Sequence, residues 1–227
     1  MKNEISRATK KLQKSVQLLE YRRLNWRVET RQRVWREFQN FVGDAKKVGF
    51  PLDLQVRSIE TVNEGLVQIT AAPIPTGTIN RKHHIDPFAL VSHSDTSVIE
   101  SGGELVASIS ATGFVHFVIH PRQSERIKPK QAELILFHAF DPTEVTVSVI
   151  QKALKNYLLI LQSSSILGCE DALTIREKLS VFWIYFRDMR NKYALYVSLL
   201  SLRNEWGKAL VAAAFAFLIG YITGNKN

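Results

Sequence analysis

The chain of 227 residues contains a single cysteine, Cys169, and therefore cannot form an internal disulfide. This absence excludes a small secreted scaffold held together by disulfides and fits a reducing compartment. The N-terminus also lacks the continuous apolar segment of a secretory signal peptide, so we expect that it is not exported. An ordinary apolar content of 45% predicts a folded rather than a disordered chain.

Motifs of the common enzyme classes are missing as well. There is no G-x-S-x-G nucleophile elbow and no glycine-rich phosphate loop of the P-loop or Rossmann type. His116 and His120 are predicted on one strand with Cα atoms roughly 13 Å apart, too far to share a metal ion. We therefore expect a non-enzymatic protein with no metal and no cofactor. A hydrolase using His116, His120 or Ser124 is the alternative, because active sites assemble from distant residues.

Positive charge is concentrated at the N-terminus. Residues 1–50 hold 13 of the 30 Lys and Arg residues against 5 of the 21 acidic ones, in a chain of net charge +9. From residue 5 to residue 48 there is no proline, and apolar residues recur at helical spacing, which predicts one long helix or two in series. The apolar register blurs between Leu19 and Val34, which indicates a hinge.

Arginines and tryptophans alternate within this blurred stretch. Trp26 and Trp35 lie among six arginines, which are Arg22, Arg23, Arg27, Arg31, Arg33 and Arg36. Such a basic helix could bind nucleic acid, lie against anionic lipid or dock a partner protein. The structural alternative is a helix whose arginine stems cover a neighbouring element.

Residues 51–140 change from helical to alternating periodicity, which predicts a small antiparallel β sheet or barrel. The segments 52–60 and 66–70 form one predicted hairpin, and 102–110 and 114–120 form a second, with Gly113 at its turn. The segment 133–140 completes a sheet of five or six strands, with 88–92 as a short additional strand. We expect the proline-rich stretch 71–87 to be a long loop, because Pro73, Pro75 and Pro87 interrupt it.

Cationic side chains collect at two places in this domain. The predicted loop carries Arg81, Lys82, His83 and His84, and two further arginines, Arg122 and Arg126, follow the second hairpin. Because arginine forks suit phosphate, these six residues are the predicted binding site for a nucleotide or another anionic ligand. The alternative is a solvated loop rim without a ligand.

The stretch ESGGELVASISATGFVHFVIHPRQSER combines a glycine pair, a hairpin and an exit with Pro121, Ser124, Glu125 and Arg126. Over residues 100–165 it resembles uncharacterised bacterial membrane-anchored proteins of the antiphage-effector type. The resemblance implies a soluble β sensing domain joined to a transmembrane helix, and a role in bacterial antiviral defence. It implies no catalytic or binding residue.

The C-terminal part is predicted to be helical. Residues 141–168 begin with a capping pattern at Asp141, Pro142 and Thr143 and continue as a helix that ends near 163–168. Residues 169–207 carry a regular heptad seam, typical of a coiled coil or of a helix packed on the N-terminal helix. The seam residues are Ile175, Leu179, Phe182, Phe186, Met189, Tyr193, Tyr196 and Leu200.

Residues 208–224 form the longest apolar segment, which we interpret as a single transmembrane tail rather than a buried soluble helix. Arg203 and Lys208 lie at its N-terminal end, so the positive-inside tendency places the bulk of the chain in the cytoplasm, on the inner (cytoplasmic) membrane. Four small residues recur every four positions and predict a helix-packing face. These residues are Ala212, Ala216, Gly220 and Gly224.

Together these features predict an α+β protein with a long N-terminal helix, a small antiparallel sheet or barrel, and C-terminal helices ending in one transmembrane helix. The predicted function is that of a tail-anchored membrane protein whose β domain binds an anionic ligand or partner protein and whose helices form a homo-oligomer. The alternative is a nucleic-acid-binding protein that uses the Arg/Trp-rich helix.

Overall fold

The N-terminal helix consists of three joined segments, and the joint explains the blurred apolar register. A computed structural model shows α1 from Lys2 to Asn25, a π-helical turn from Trp26 to Thr30, and α2 from Arg31 to Lys47. The backbone N–H of Arg31 bonds the carbonyl of Trp26, which is the five-residue step of a π-helix. One extra residue in the turn rotates the apolar stripe of α2 relative to that of α1.

The structure describes residues 1–60, 65–85, 91–125, 128–129, 131–168 and 173–188, and for 81–85, 91–94 and 138–139 it describes the backbone only. The chain divides into two units, Met1–Tyr185 and Phe186–Asn227. The predicted boundaries at 50, 140, 168 and 207 stay predictions. The predicted transmembrane tail lies outside the described residues.

Five antiparallel strands form the main sheet in the order β1-β2-β5-β6-β7. The strands are β1 Leu54–Ile59, β2 Leu66–Ala71, β5 Glu104–Ile109, β6 Val115–His120 and β7 Leu134–Phe140. Both predicted hairpins are confirmed, with Leu54 paired to Ala71 and Glu104 paired to His120. The sheet is open and closes no barrel, so the barrel alternative is wrong: β1 and β7 are its two edges.

The stretch expected to be a long loop is instead a β ribbon. Strand β3, Ile74–Ile85, pairs with β4, Val91–Glu100, as a separate two-stranded sheet. The prolines misled the prediction because a two-stranded ribbon has an open edge on both strands, where a residue without an N–H is tolerated. The ladder also shifts register between Pro75 and Ile79, and Gly77 within this bulge has a φ of 74°.

One face of the sheet carries the core. Alternate residues of β2, β5 and β6 are buried, and the side chains between them are only half buried. Helix α2 contacts β1 and β2, and α3, Val147–Ser164, contacts β5 and β6. The two helices contact each other where Phe41 meets Tyr157 edge to face at 6.3 Å between ring centroids. They therefore form a layer over the apolar face of the sheet.

The segment after β7 begins as predicted with a capped turn. The Asp141 carboxylate accepts from the Thr143 backbone N–H, and Pro142–Glu144 forms a short 3-10 turn. The α-helix itself starts later, at Val147, and ends at Ser164, where the predicted break begins. The buried Tyr157 hydroxyl donates to the Gly103 carbonyl at 2.9 Å, and burial raises the pKa of this hydroxyl. This bond joins α3 to the start of β5.

Helix α4, Ile175–Arg187, contains the first part of the predicted heptad seam. Its seam residues Ile175, Leu179 and Phe182 are 79%, 55% and 60% exposed. Residues of a different stripe, among them Val181 and Ile184, pack against the core instead. These three seam residues are therefore largely exposed, and Met189, Tyr193, Tyr196 and Leu200 lie outside the described residues.

Candidate functional site

Four of the six predicted basic-helix arginines bond other parts of the protein, namely Arg22, Arg23, Arg31 and Arg33. Arg22 Nε donates to Asp141 Oδ2 at 2.8 Å, and its guanidinium carbon lies 4.0 Å from the centroid of the Phe114 ring. Arg23 donates to the Ala111 carbonyl at 3.4 Å. These contacts dock the end of α1 on the turn between β5 and β6, where Gly113 has a φ of 82° as the predicted turn requires.

Arg33 has a similar structural role about three helical turns further on. Its Nη1 donates to the Val145 carbonyl at 2.8 Å, and its Nη2 pairs with Glu29. The helix joint is thus tied to the segment that follows β7. Arg27, by contrast, is exposed on the π-helical turn.

Burial disfavours the charged form of Asp141, but hydrogen bonds from Arg22 and Thr143 outweigh it and hold the pKa of this carboxyl below its usual value. A group whose pKa is lower in the folded state contributes stability above its unfolded pKa, and this contribution is lost as the pH falls through the folded pKa. The Arg22–Asp141 contact is therefore fully present at neutral pH.

Trp26 is a core residue rather than a binding residue. Its side chain is fully buried, and its indole Nε1 donates to the Gly65 carbonyl at 3.0 Å. The buried Thr30 hydroxyl donates to the Pro142 carbonyl at 2.9 Å. The π-helical turn therefore directs both side chains into the interior, where each finds a backbone carbonyl.

Two arginines of the basic helix, Arg31 and Arg36, line an open groove of about 500 Å³. It runs along the side of α2, with Ser58 of β1 opposite. Two rows of residues at one-turn spacing build the helical wall of the groove. The first row is Arg31, Trp35 and Gln39, and the second is Gln32, Arg36 and Asn40.

The groove is positively charged and rich in hydrogen-bonding groups. Of the seven described residues that line it, two are arginines and none is a carboxylate. Arg31 is anchored by Glu60, with Nη2 and Oε1 3.2 Å apart, whereas Arg36 is exposed. Trp35 is half buried and packs against the core on one side. An anionic molecule with an apolar or aromatic part would find both complementary surfaces here.

Sequence reasoning identified the two arginines and the tryptophan of this groove but not its other four members. Gln32, Gln39, Asn40 and Ser58 were not singled out. The sequence does contain a pattern that could have located the polar residues of α2. They form rows along the helix beside its buried stripe of Val34, Phe38 and Val42, with the same four-residue spacing. Only the packing of α2 against β1 shows that these rows form one wall of a groove.

Four of the predicted ligand-binding residues lie on the ribbon, near its distal end. Arg81, Lys82, His83 and His84 belong to β3 and pair in register with Asp95, Ser94, His93 and Ser92 of β4. They are strand residues, so the prediction that they lie in a long loop is wrong. Arg126 lies outside the described residues, and the anionic site proposed for this set stays a prediction.

Arg122 occupies the interior rather than a solvated rim. Its side chain is fully buried, and Nε lies 3.3 Å from Oε2 of Glu100, which is 3% exposed. Its Nη2 donates to the Ala72 carbonyl at 3.0 Å and to the Glu100 carbonyl at 3.2 Å. Glu100 also accepts from the Ile166 backbone N–H at 3.0 Å. This network joins the base of the ribbon to the end of α3, so Arg122 has a structural role.

The histidines of the hydrolase alternative lie on the half-buried face of the sheet, opposite the core. His116 pairs in register with Ser108, and His120 pairs with Glu104. Ser124 follows β6 outside any strand. In the described part of the chain, no group of three His, Cys, Asp or Glu residues could hold a metal ion.

The predicted membrane and oligomer face of Ala212, Ala216, Gly220 and Gly224 lies outside the described residues. Among the helices that the structure does describe, none is both long and apolar enough to cross a membrane. No family model, curated protein or solved structure matches the chain. Its function is therefore inferred from its own geometry.

Proposed function

We propose that this chain is a non-enzymatic binding protein that recognises an anionic partner in the groove between α2 and β1, and that its C-terminal segment attaches it to a membrane as an oligomer. The observation that carries the binding proposal is the lining of the groove. Two arginines, one half-buried tryptophan and four hydrogen-bonding side chains are its described lining residues, and none of these is a carboxylate. Negative charge is the chemistry that this set complements best.

A direct test uses poly-L-glutamate as the probe, with binding followed through tryptophan fluorescence and by calorimetry. Arg36→Glu should weaken binding by about tenfold or more, since it replaces a favourable charge contact with a repulsive one. Lys14→Glu is the matched control, because it makes the same charge change on the exposed surface of α1. Equal losses in the two variants would show non-specific attraction to a basic protein and would refute the groove as the site.

The membrane part of the proposal rests on the sequence of residues 208–224 and on the resemblance over residues 100–165 to bacterial membrane-anchored antiphage effectors. The oligomer part is supported by the exposed heptad residues Ile175, Leu179 and Phe182, which a second helix would cover. Cell fractionation of the chain with and without residues 208–227 tests the anchor. A full-length chain found only in the soluble fraction would contradict it.

Nucleic acid is the second candidate partner. Arg31, Trp35 and Arg36 offer the cation and stacking surface that a single strand needs. Against this, four residues of the Arg/Trp-rich stretch already bond within the protein. They are Arg22, Arg23, Arg33 and Trp26. A single-stranded 12-mer oligonucleotide titrated beside poly-L-glutamate separates the two partners, because nucleic-acid binding would be tighter and would fall steeply with salt.

A further inference from the structure

The groove lies along a free edge of the main sheet. Strand β1 is terminal in the sheet and pairs with β2, and no other strand of the described residues pairs with it. An edge strand presents alternate backbone N–H and C=O groups that can bond an added strand. Gln55, Arg57, Ser58 and Ile59 are all exposed along this strand.

The direction of the helix side chains places the lining rows on this edge. Val34 and Phe38 point into the core, and Phe41 on one flank of α2 meets Tyr157 of α3. Arg31, Trp35 and Gln39 occupy the opposite flank of the helix, away from α3. The groove between that flank and Ser58 therefore opens beside β1 rather than over the middle of the sheet.

A groove between a helix and an edge strand fits an extended peptide. The peptide backbone bonds the strand, and every second side chain points into the groove. The lining rows span two helical turns, about 12 Å. An extended chain covers that distance in about four residues, so about two of its side chains would enter the groove.

Charge decides which peptide fits. Arg31 and Arg36 line the groove, and Arg57 is exposed on the opposite face of β1. Arg31 shares its charge with Glu60. Arg36 and Arg57 therefore supply most of the positive charge beside the two faces of an added strand. Trp35 lies between the two arginines along the wall and offers an apolar contact. Acidic side chains next to an apolar one would complement this surface.

We propose that the groove binds an extended acidic peptide segment of a partner protein, which adds to the main sheet as a strand beside β1. This inference rests on the proposed anion-binding function and specifies its ligand. The backbone of β1 supplies the hydrogen bonds, Arg31 and Arg36 contact the acidic side chains, and Trp35 contacts an apolar side chain between them.

The test starts from random 12-residue peptides displayed on phage and selected against the full-length chain in detergent. We expect the selected peptides to carry acidic residues at alternate positions around an apolar residue. A synthetic copy should bind Arg36→Glu at least about tenfold more weakly than the unchanged chain and should bind Lys14→Glu as the unchanged chain does. Selection of peptides without acidic residues would overturn the proposal.

Backbone N-methylation of the synthetic peptide, one residue at a time, then tests strand addition itself. Methylation at every second residue of the central segment should abolish binding, and methylation at the residues between should not, because only alternate N–H groups face the neighbouring strand. A flat profile would refute strand addition. If poly-L-glutamate binding still depends on Arg36 in that case, the anion-binding function survives without the strand. If only the 12-mer oligonucleotide binds, both proposals fail.

Discussion

Trp26 and Trp35 lie on the same N-terminal helix, each flanked by arginines, and the structure gives them opposite roles. Trp26 is fully buried and bonds the Gly65 carbonyl, while Trp35 is half buried and lines an open groove. Their arginines divide in the same way, since Arg22 is bound to Asp141 and Arg36 is exposed. A basic aromatic segment is therefore not one surface: part of it holds the fold and part of it is available to a ligand.

We expect the largest loss of stability when the buried tryptophan, Trp26, is replaced. Trp26→Ala should lower the free energy of unfolding by about 3–5 kcal/mol, since it leaves a cavity in the core and an unpaired Gly65 carbonyl. Trp35→Ala is the matched variant and should lower the free energy of unfolding clearly less, because the Trp35 side chain is only half buried. Urea denaturation followed by circular dichroism measures both. Equal losses would remove the distinction between the two tryptophans.

A second comparison sets a buried arginine against an exposed one. Arg122→Ala should lower the free energy of unfolding by about 3–5 kcal/mol, because it leaves Glu100 as a buried charge without its partner. Arg36→Ala should change it by less than about 0.5 kcal/mol. The same denaturation experiment tests the pair, and a stable Arg122→Ala variant would contradict the structural role of Arg122.

The Arg22–Asp141 contact predicts a pH dependence. Asp141→Asn should lower the free energy of unfolding by about 1 kcal/mol at pH 7. This effect is small for a charged hydrogen bond because the carboxylate is partly exposed. Because the pKa of Asp141 is lowered in the folded protein, the difference between the variant and the unchanged chain should shrink as the pH falls below about 4. Thermal unfolding at pH 7, 5 and 3 measures this. A difference that stays constant to pH 3 would show that the ion pair does not contribute.

The smallest expected effect concerns the predicted tail. Gly220→Leu should leave membrane insertion intact and weaken self-association, since a large side chain would separate helices that pack through small residues. Cell fractionation and the oligomer size in detergent measure the two properties. An unchanged oligomer size would leave the tail as a simple anchor.

Local periodicity predicted much of this fold. Alternating apolar residues located both hairpins and β7, and helical spacing located the N-terminal helix and α3. The ribbon was missed because Pro75 and Gly77 are typical of loops, yet the register shift beside them lets the ladder continue. The π-helical turn was visible only as a blurred register, since no residue type marks an inserted residue.

The candidate site was less predictable than the fold. Arg31 and Arg36 were identified by charge and line the groove, but Arg22 and Arg33 carry the same charge and instead bond Asp141 and the Val145 carbonyl. What separates these pairs is the tertiary placement of α2 against the β1 edge. The polar rows of α2 become one wall of a groove only because β1 is the last strand of the sheet.

The most direct test of the central claim exchanges charges across the groove. The acidic peptide selected on the unchanged chain is resynthesised with Lys in place of the Glu or Asp that faces Arg36, and both peptides are titrated against the unchanged chain and Arg36→Glu. We predict that each mismatched pair binds at least about tenfold more weakly than the original pair, and that the exchanged pair recovers much of this loss. Failure of the exchanged pair to recover any affinity would contradict the groove between α2 and β1 as the binding site.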